Sequence, residues 1–125
     1  MAADDRRRPR RVYGTGDEPD PRFTLANERT LLAWLRTALA LVVAGIAVTA
    51  LAELGEPARF VQATSALAFL AGGATALVGL RQWARAEAAM RHGRALPSAA
   101  GVIVVVAGVL ALALLGVLGL LVADL

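Results

Sequence analysis

Arg22, Arg29 and Arg36 recur every seven residues in the stretch Asp20-Pro21-Arg22-Phe23-Thr24-Leu25-Ala26-Asn27-Glu28-Arg29-Thr30-Leu31-Leu32-Ala33-Trp34-Leu35-Arg36-Thr37. On a helix they share nearly one face, about 10.5 Å apart along the axis. A guanidinium meets phosphate oxygens through paired, parallel hydrogen bonds, so such a row suits a phosphate-bearing anion. Leu25, Leu32 and Leu39 share that face. Glu28 points about 100° away from Arg29, so Asn27 and Glu28 address a different neighbour. Arg36 has apolar sequence on both sides. A charge inside a span costs several kcal/mol unless it finds a partner or snorkels to the interface, and both outcomes stay open for Arg36. Trp34 beside it suits an interfacial aromatic belt. Further along, Arg81, Arg85 and His92 can share one helix face. His92 has no evident partner and is assigned no role. The anion-binding candidates are therefore Arg22, Arg29, Arg36, Arg81 and Arg85. Asn27, Glu28, Trp34 and Trp83 are the candidates for helix register and assembly.

These residues need elements to hold them, and the composition says which. The chain has 125 residues, 58% of them hydrophobic. Uncharged runs of 16, 21 and 29 residues follow Arg36, Arg59 and Arg94. A span needs roughly 20 apolar residues to cross the hydrocarbon. Three such blocks leave no room for a soluble core. The expected fold is an all-α membrane domain over 20–123, with spans near 30–53, 59–80 and 98–123. Asp20 is an N-cap residue type and Pro21 suits the first helical position, so the first helix starts there and runs toward Leu54. Gly55-Glu56-Pro57 makes a tight turn. The second helix continues past Arg81 and stops at Gly93, with Glu87 and Arg91 placed to pair on its surface. Pro97 opens the third span. The first two helices thus extend beyond the membrane on the same side, the cytoplasmic one. Ala40 with Ala44, Ala68 with Gly72 and Ala76, and Gly101, Gly108, Gly116 and Gly119 offer small-residue faces for close helix packing.

Several chemistries are excluded. There is no Cys and only one His, so no thiolate or His-cluster metal site can form. All 13 basic residues are Arg, which removes Schiff-base lysines and phosphate-binding P-loops. No nucleophile–base pair lies near the membrane, so the chain reads as no enzyme and needs no cofactor. Residues 1–19 form a polar tail, expected to be disordered. Its cluster Arg6, Arg7, Arg8, Arg10 and Arg11 helps to set orientation and attracts anionic lipid headgroups. It lacks a fold and the aromatics that nucleic-acid binding needs. The first span does not read as a cleaved signal peptide, because some 30 residues with acids precede its apolar run.

The string Ala26-Asn27-Glu28-Arg29-Thr30, continued by Leu32-Ala33-Trp34 and Arg36-Thr37, resembles the YidH-type bacterial membrane family, the three-span "domain of unknown function 202". The resemblance runs over 20–123, more loosely from Trp83 through Gly93 and Pro97. The same domain is similar to the membrane part of the fungal vacuolar transporter chaperone, a polyphosphate polymerase complex. There, five three-helix domains surround a pore whose basic residues guide polyphosphate. The resemblance implies that role for Arg22 and Arg29, and for Arg81 or Arg85, with Glu28 as the acid before the arginine. This chain has no polymerase or phosphate-sensing domain, so it corresponds to the membrane module alone.

Two functions follow. One is a homo-oligomer, a pentamer by preference, that binds or conducts phosphate or polyphosphate along stacked Arg collars in the bacterial plasma membrane. The other is a structural subunit that binds anionic lipid or a partner membrane protein. Twelve of the 13 Arg lie in 1–36 and 81–94, which places the N-terminus in the cytoplasm and the C-terminus outside. A reporter active only outside the cytoplasm should therefore work when fused after Leu125 and stay silent when fused at Ala2.

Overall fold

The computed structural model describes residues 6–123. Its helices are a single turn α1 (Arg10–Tyr13), α2 (Pro21–Ala50), α3 (Ala58–Arg91) and α4 (Val102–Ala123). A tighter turn, Leu51–Leu54, finishes α2. No strand occurs among the described residues, and α2, α3 and α4 are each long and apolar enough to cross a membrane. The fold is that of an all-α membrane protein with three spans.

The ends of the helices follow from local chemistry. The Asp20 carboxylate accepts the Arg22 backbone N–H at 2.9 Å, and Pro21 fills the first helical position, where its missing N–H costs nothing. At the far end of α3, Gly93 takes φ +60°, a left-handed conformation that a side chain would strain. The third helix starts at Val102, later than Pro97. The N–H groups of Val102, Ile103 and Val104 bond back only three residues, to Ala99, Ala100 and Gly101. The segment after Pro97 thus tightens into a turn before the helix proper begins.

The central contact is between α2 and α3. Thr24, Asn27, Leu31, Trp34, Ala38, Leu41 and Gly45 alternate at spacings of three and four and form the inward stripe of α2. Ser65, Ala68, Gly72, Thr75 and Gly79 form the buried stripe of α3. The backbones come close because these residues are small. A Cβ at Gly72 would stand 2.8 Å from the Val42 side chain and 3.0 Å from the Ala38 carbonyl oxygen. One at Gly45 would meet the Phe69 ring at 2.8 Å. Ala40 and Ala44, read from sequence as a packing pair, are exposed. Inside the spans two buried hydroxyls bond back into their own helix: Ser65 to the Val61 carbonyl at 2.7 Å, and Thr75 to that of Ala71 at 2.7 Å, whereas the buried Thr64 hydroxyl has no partner among the described residues.

α4 packs on another flank of α3. Gly101 lies against Val78, Gly108 against Ala71 and Gly119 against Phe60, whereas Gly116 faces open space. The Trp34 ring reaches across from α2 to cover both Gly79 and Gly101. Most large apolar side chains of α4 are exposed, as expected for a lipid-facing helix, while Val105, Leu112 and Leu115 are half-buried.

Residues 6–19, expected to be disordered, instead carry α1 and fold back on α3. Val12 is buried, and the Tyr13 ring sits 6.1 Å from that of Trp83. The turn depends on Gly16 at φ +67°, where a Cβ would run into the Arg91 carbonyl. The next residue, Asp17, donates its N–H to that same carbonyl at 2.9 Å, satisfying an acceptor that the end of α3 leaves open.

Close approach at Gly79 can be tested directly. A Cβ there would lie 2.5 Å from the Trp34 Cβ, whereas Gly73 has nothing within 4 Å. Gly79→Leu should cost about 1–3 kcal/mol through overpacking. Thermal unfolding in detergent should show a clear loss for this variant. Gly73→Ala should keep or raise the midpoint, by about 1 kcal/mol at most.

Candidate functional site

The direction of the Arg row is set by the inward stripe of α2. Arg29 falls midway between Asn27 and Leu31, Arg36 midway between Trp34 and Ala38, and Arg22 lies seven residues before Arg29, so all three lie on the opposite side of the helix, facing away from α3. All three are exposed. Arg22 pairs with Asp20, at 3.2 Å, in a contact open to solvent. Arg29, Arg36 and the exposed Glu28 have no hydrogen bond or ion pair among the described residues. Leu25, Leu32 and Leu39 line the same outer face and are more than half exposed.

Arg81 and Arg85 are elsewhere. Gly79 and Trp83 touch α2, and Arg81 lies two residues from each, so it points to the opposite side of α3. Arg85 follows one turn later. Both line a groove between α3 and α1. The structure thus does not bring the five arginine candidates together within one chain: it divides them between the two outer faces of the α2–α3 pair.

The polar centre of the chain is a residue that the spacing alone read as a surface group. Glu87 has none of its surface exposed. Thr24 donates its hydroxyl to Oε1 at 3.1 Å, and Asn27 donates Nδ2 to Oε2 at 3.4 Å. The same Asn27 amide donates to the Trp83 carbonyl at 3.1 Å. Arg91 Nε lies 3.7 Å from Glu87 Oε1, and the Arg91 side chain is only 3% exposed. The pair expected on the surface is therefore buried, because α2 covers it on one side and the folded tail on another.

Arg91 carries the contact on to the tail. Its Nη1 donates to the Tyr13 carbonyl at 3.2 Å, and its Nη2 to Glu18 Oε2 at 3.0 Å. Arg7 grips Glu18 with two bonds of 2.9 and 2.7 Å. Both guanidiniums stand near the Tyr13 ring, at 4.8 Å for Arg7 and 5.1 Å for Arg91. Hydrogen bonding from Arg7, then from Arg91, holds the Glu18 carboxyl below its ordinary range. A depressed value means that the contact stabilises the docked tail above the unfolded pKa and is lost as pH falls through the folded one. Burial, with Glu87 nearby, pushes the Tyr13 phenol up.

Trp83 is buried, and Trp34 half-buried between α3 and α4. His92 is exposed, with Nδ1 2.7 Å from the Ala88 carbonyl at the helix end. No group of three or more potential metal ligands occurs among the described residues. Sequence reading missed Glu87 and Arg91 as buried groups, and Tyr13 and Glu18 altogether. One signal was there: Thr24 and Asn27 begin the three-and-four stripe that Leu31 and Trp34 continue, which turns two polar side chains toward a neighbouring helix.

A three-span membrane protein with an outward Arg row and a buried polar lock is the class that this geometry defines. The chain belongs to the family described as "Domain of unknown function (DUF202)", whose pattern matches residues 22–89. That match covers α2 and nearly all of α3, including Glu87, and leaves out α1 and α4. The chain is 40% identical over 87 residues to Inner membrane protein YidH of Escherichia coli (strain K12), covering 70% of this chain and 76% of that one. It is 47% identical over 108 residues to an uncharacterized protein of Mycobacterium tuberculosis (strain ATCC 25618 / H37Rv), covering 80% and 86%. No solved structure matches.

Removing one partner from a buried ionic cluster strands the others without water. Glu87→Ala should therefore destabilise the chain by about 3–5 kcal/mol. Glu87→Gln keeps the volume and an acceptor and should lose clearly less. Thermal unfolding in detergent ranks the two. Equal, small losses would show that the cluster does not hold the helices.

Proposed function

We propose that the chain is a non-enzymatic, homo-oligomeric module of the bacterial inner membrane. Its cytoplasmic Arg22–Arg29–Arg36 face binds or conducts phosphate or polyphosphate. One observation carries this: an evenly spaced guanidinium row stands on the outer face of α2, and its two inner members, Arg29 and Arg36, have no partner among the described residues. Left against lipid, Arg36 would cost several kcal/mol. A ring that turns α2 toward its axis covers Leu25, Leu32 and Leu39 and stacks the arginines as collars around an anion. Five copies fit the resemblance to the fungal polyphosphate complex. Glu28, exposed and unpaired, suits a contact with the next copy. The polar side chains Thr24, Asn27, Glu87 and Arg91 are engaged with one another in packing α2 on α3. The similarity to an inner membrane protein of Escherichia coli supports the inner membrane, and the Arg distribution supports the cytoplasmic N-terminus.

Arg29 is the residue to test. Arg29→Ala should lower phosphate or polyphosphate binding or flux in proteoliposomes by about tenfold or more, for the loss of a charged, bidentate contact. Arg29→Lys should recover only part, because the fork geometry is lost. Native mass spectrometry should show the same oligomer for both, whereas Glu28→Ala should loosen it. If wild type shows no anion effect and Arg29→Ala blocks insertion or assembly, the chain is a structural subunit and the collars are anchors. Monomers alone in membranes would sink the ring.

A further inference from the structure

We propose that the groove between α1 and α3 holds an anionic phospholipid, its phosphate among Arg11, Arg81 and Arg85 and its first chain carbons against Val12, Leu77 and Leu80. The groove has a volume of about 660 Å³ and is lined by these six residues among others. Among the described residues, none of the three guanidiniums has a hydrogen-bond or ion-pair partner, and all three are exposed.

Depth selects the ligand. The 21 uncharged residues between Arg59 and Arg81 span about 31 Å as a helix, close to the thickness of the hydrocarbon. Arg81 therefore sits at the hydrocarbon edge. Arg85 lies one turn further out, and Leu77 and Leu80 lie within the turn inside it. These leucines are 49% and 51% exposed. Along the groove the order is apolar, then cationic, which is the order of chain and phosphate in a phospholipid. A soluble polyanion would satisfy the arginines and leave the leucines uncovered. A neutral lipid would cover the leucines and leave the arginines unpaired.

The tail completes the site. Arg11 and Val12 come from α1, which is held on α3 by the Tyr13–Trp83 contact and by the Arg91–Glu18 ion pair. Removing the tail anchor should therefore weaken lipid binding although Glu18 is not among the groove residues. This site is separate from the α2 row, and neither depends on the other being correct.

Native mass spectrometry of the full chain tests it, in neutral detergent with equal phosphatidylglycerol and phosphatidylcholine of the same acyl chains. Wild type should retain phosphatidylglycerol in preference. Each arginine removed should cost roughly fivefold in that preference. Arg81→Ala with Arg85→Ala should therefore lower it by roughly 25-fold, and Arg11→Ala by roughly fivefold. Arg81→Lys with Arg85→Lys should keep most of it, and an unchanged melting midpoint shows that the variants fold. Arg29→Ala should leave it intact. A preference left at the wild-type level by Arg81→Ala with Arg85→Ala overturns the proposal. So does displacement of the bound lipid by inorganic phosphate, which would make the groove a site for free anions.

Discussion

A carboxyl group with none of its surface in water must find its partners inside the protein, and Glu87 finds them on α2 and on its own helix. An unsatisfied polar group here costs more than most single packing contacts contribute. Sliding α2 by one residue would turn Thr24 and Asn27 away from Glu87 and bring the next residues of α2 in their place. The small-residue stripe alone permits neighbouring registers, because Ala, Gly and Ser present similar surfaces to a facing helix. The carboxyl cluster removes that freedom. The direction in which Arg22, Arg29 and Arg36 point is therefore a consequence of where Glu87 is buried, although none of the three touches it.

The lock sits where it is physically cheapest. Within the spans, the inward polar groups are hydroxyls, those of Ser65 and Thr75 bonded to their own helix, and close packing comes from Gly45, Gly72 and Gly79. The charged cluster begins only where α3 has left the apolar run, beyond Arg81. There each charge keeps some contact with water through its neighbours: Arg91 is buried, yet its partner Glu18 is largely exposed. The docked tail closes this cluster without carrying it into the hydrocarbon. Two packing regimes thus share one pair of helices, apolar and close below, polar and hydrogen-bonded above.

Much of this was legible in the sequence. The length of the three uncharged runs gave the spans, Asp20 and Pro21 gave the start of α2, and Gly93 gave the end of α3, because these signals are local. The seven-residue spacing put Arg22, Arg29 and Arg36 on one face for the same reason. What spacing could not reveal is which face another element covers. Glu87 and Arg91 satisfy the rule for a surface ion pair, and only the arrival of α2 and the tail makes them interior. The tail itself looks like a solvated segment by composition. Its docking depends on a few particular contacts, Tyr13 on Trp83 and Gly16 against Arg91, which average polarity hides. Residue type likewise says nothing about the side of the bundle on which Arg81 and Arg85 end, which is away from the α2 row.

That division of the arginines has a geometric result. Because α2 and α3 are packed face to face, their outer sides point in opposite directions. Any assembly that turns the α2 row toward a shared axis must turn Arg81 and Arg85 toward its perimeter, where lipid is. An assembly that gathered all five arginines around one axis would have to break the α2–α3 contact and strip Glu87 of Thr24 and Asn27. The buried carboxyl forbids this at a cost of several kcal/mol per copy. In a ring of the proposed kind, the basic residues of the two helices would therefore face different surroundings, however alike they look in the sequence. On the two proposals made above, a central anion and a peripheral headgroup would each meet one of these faces, and the Glu87 contacts would fix the angle between them.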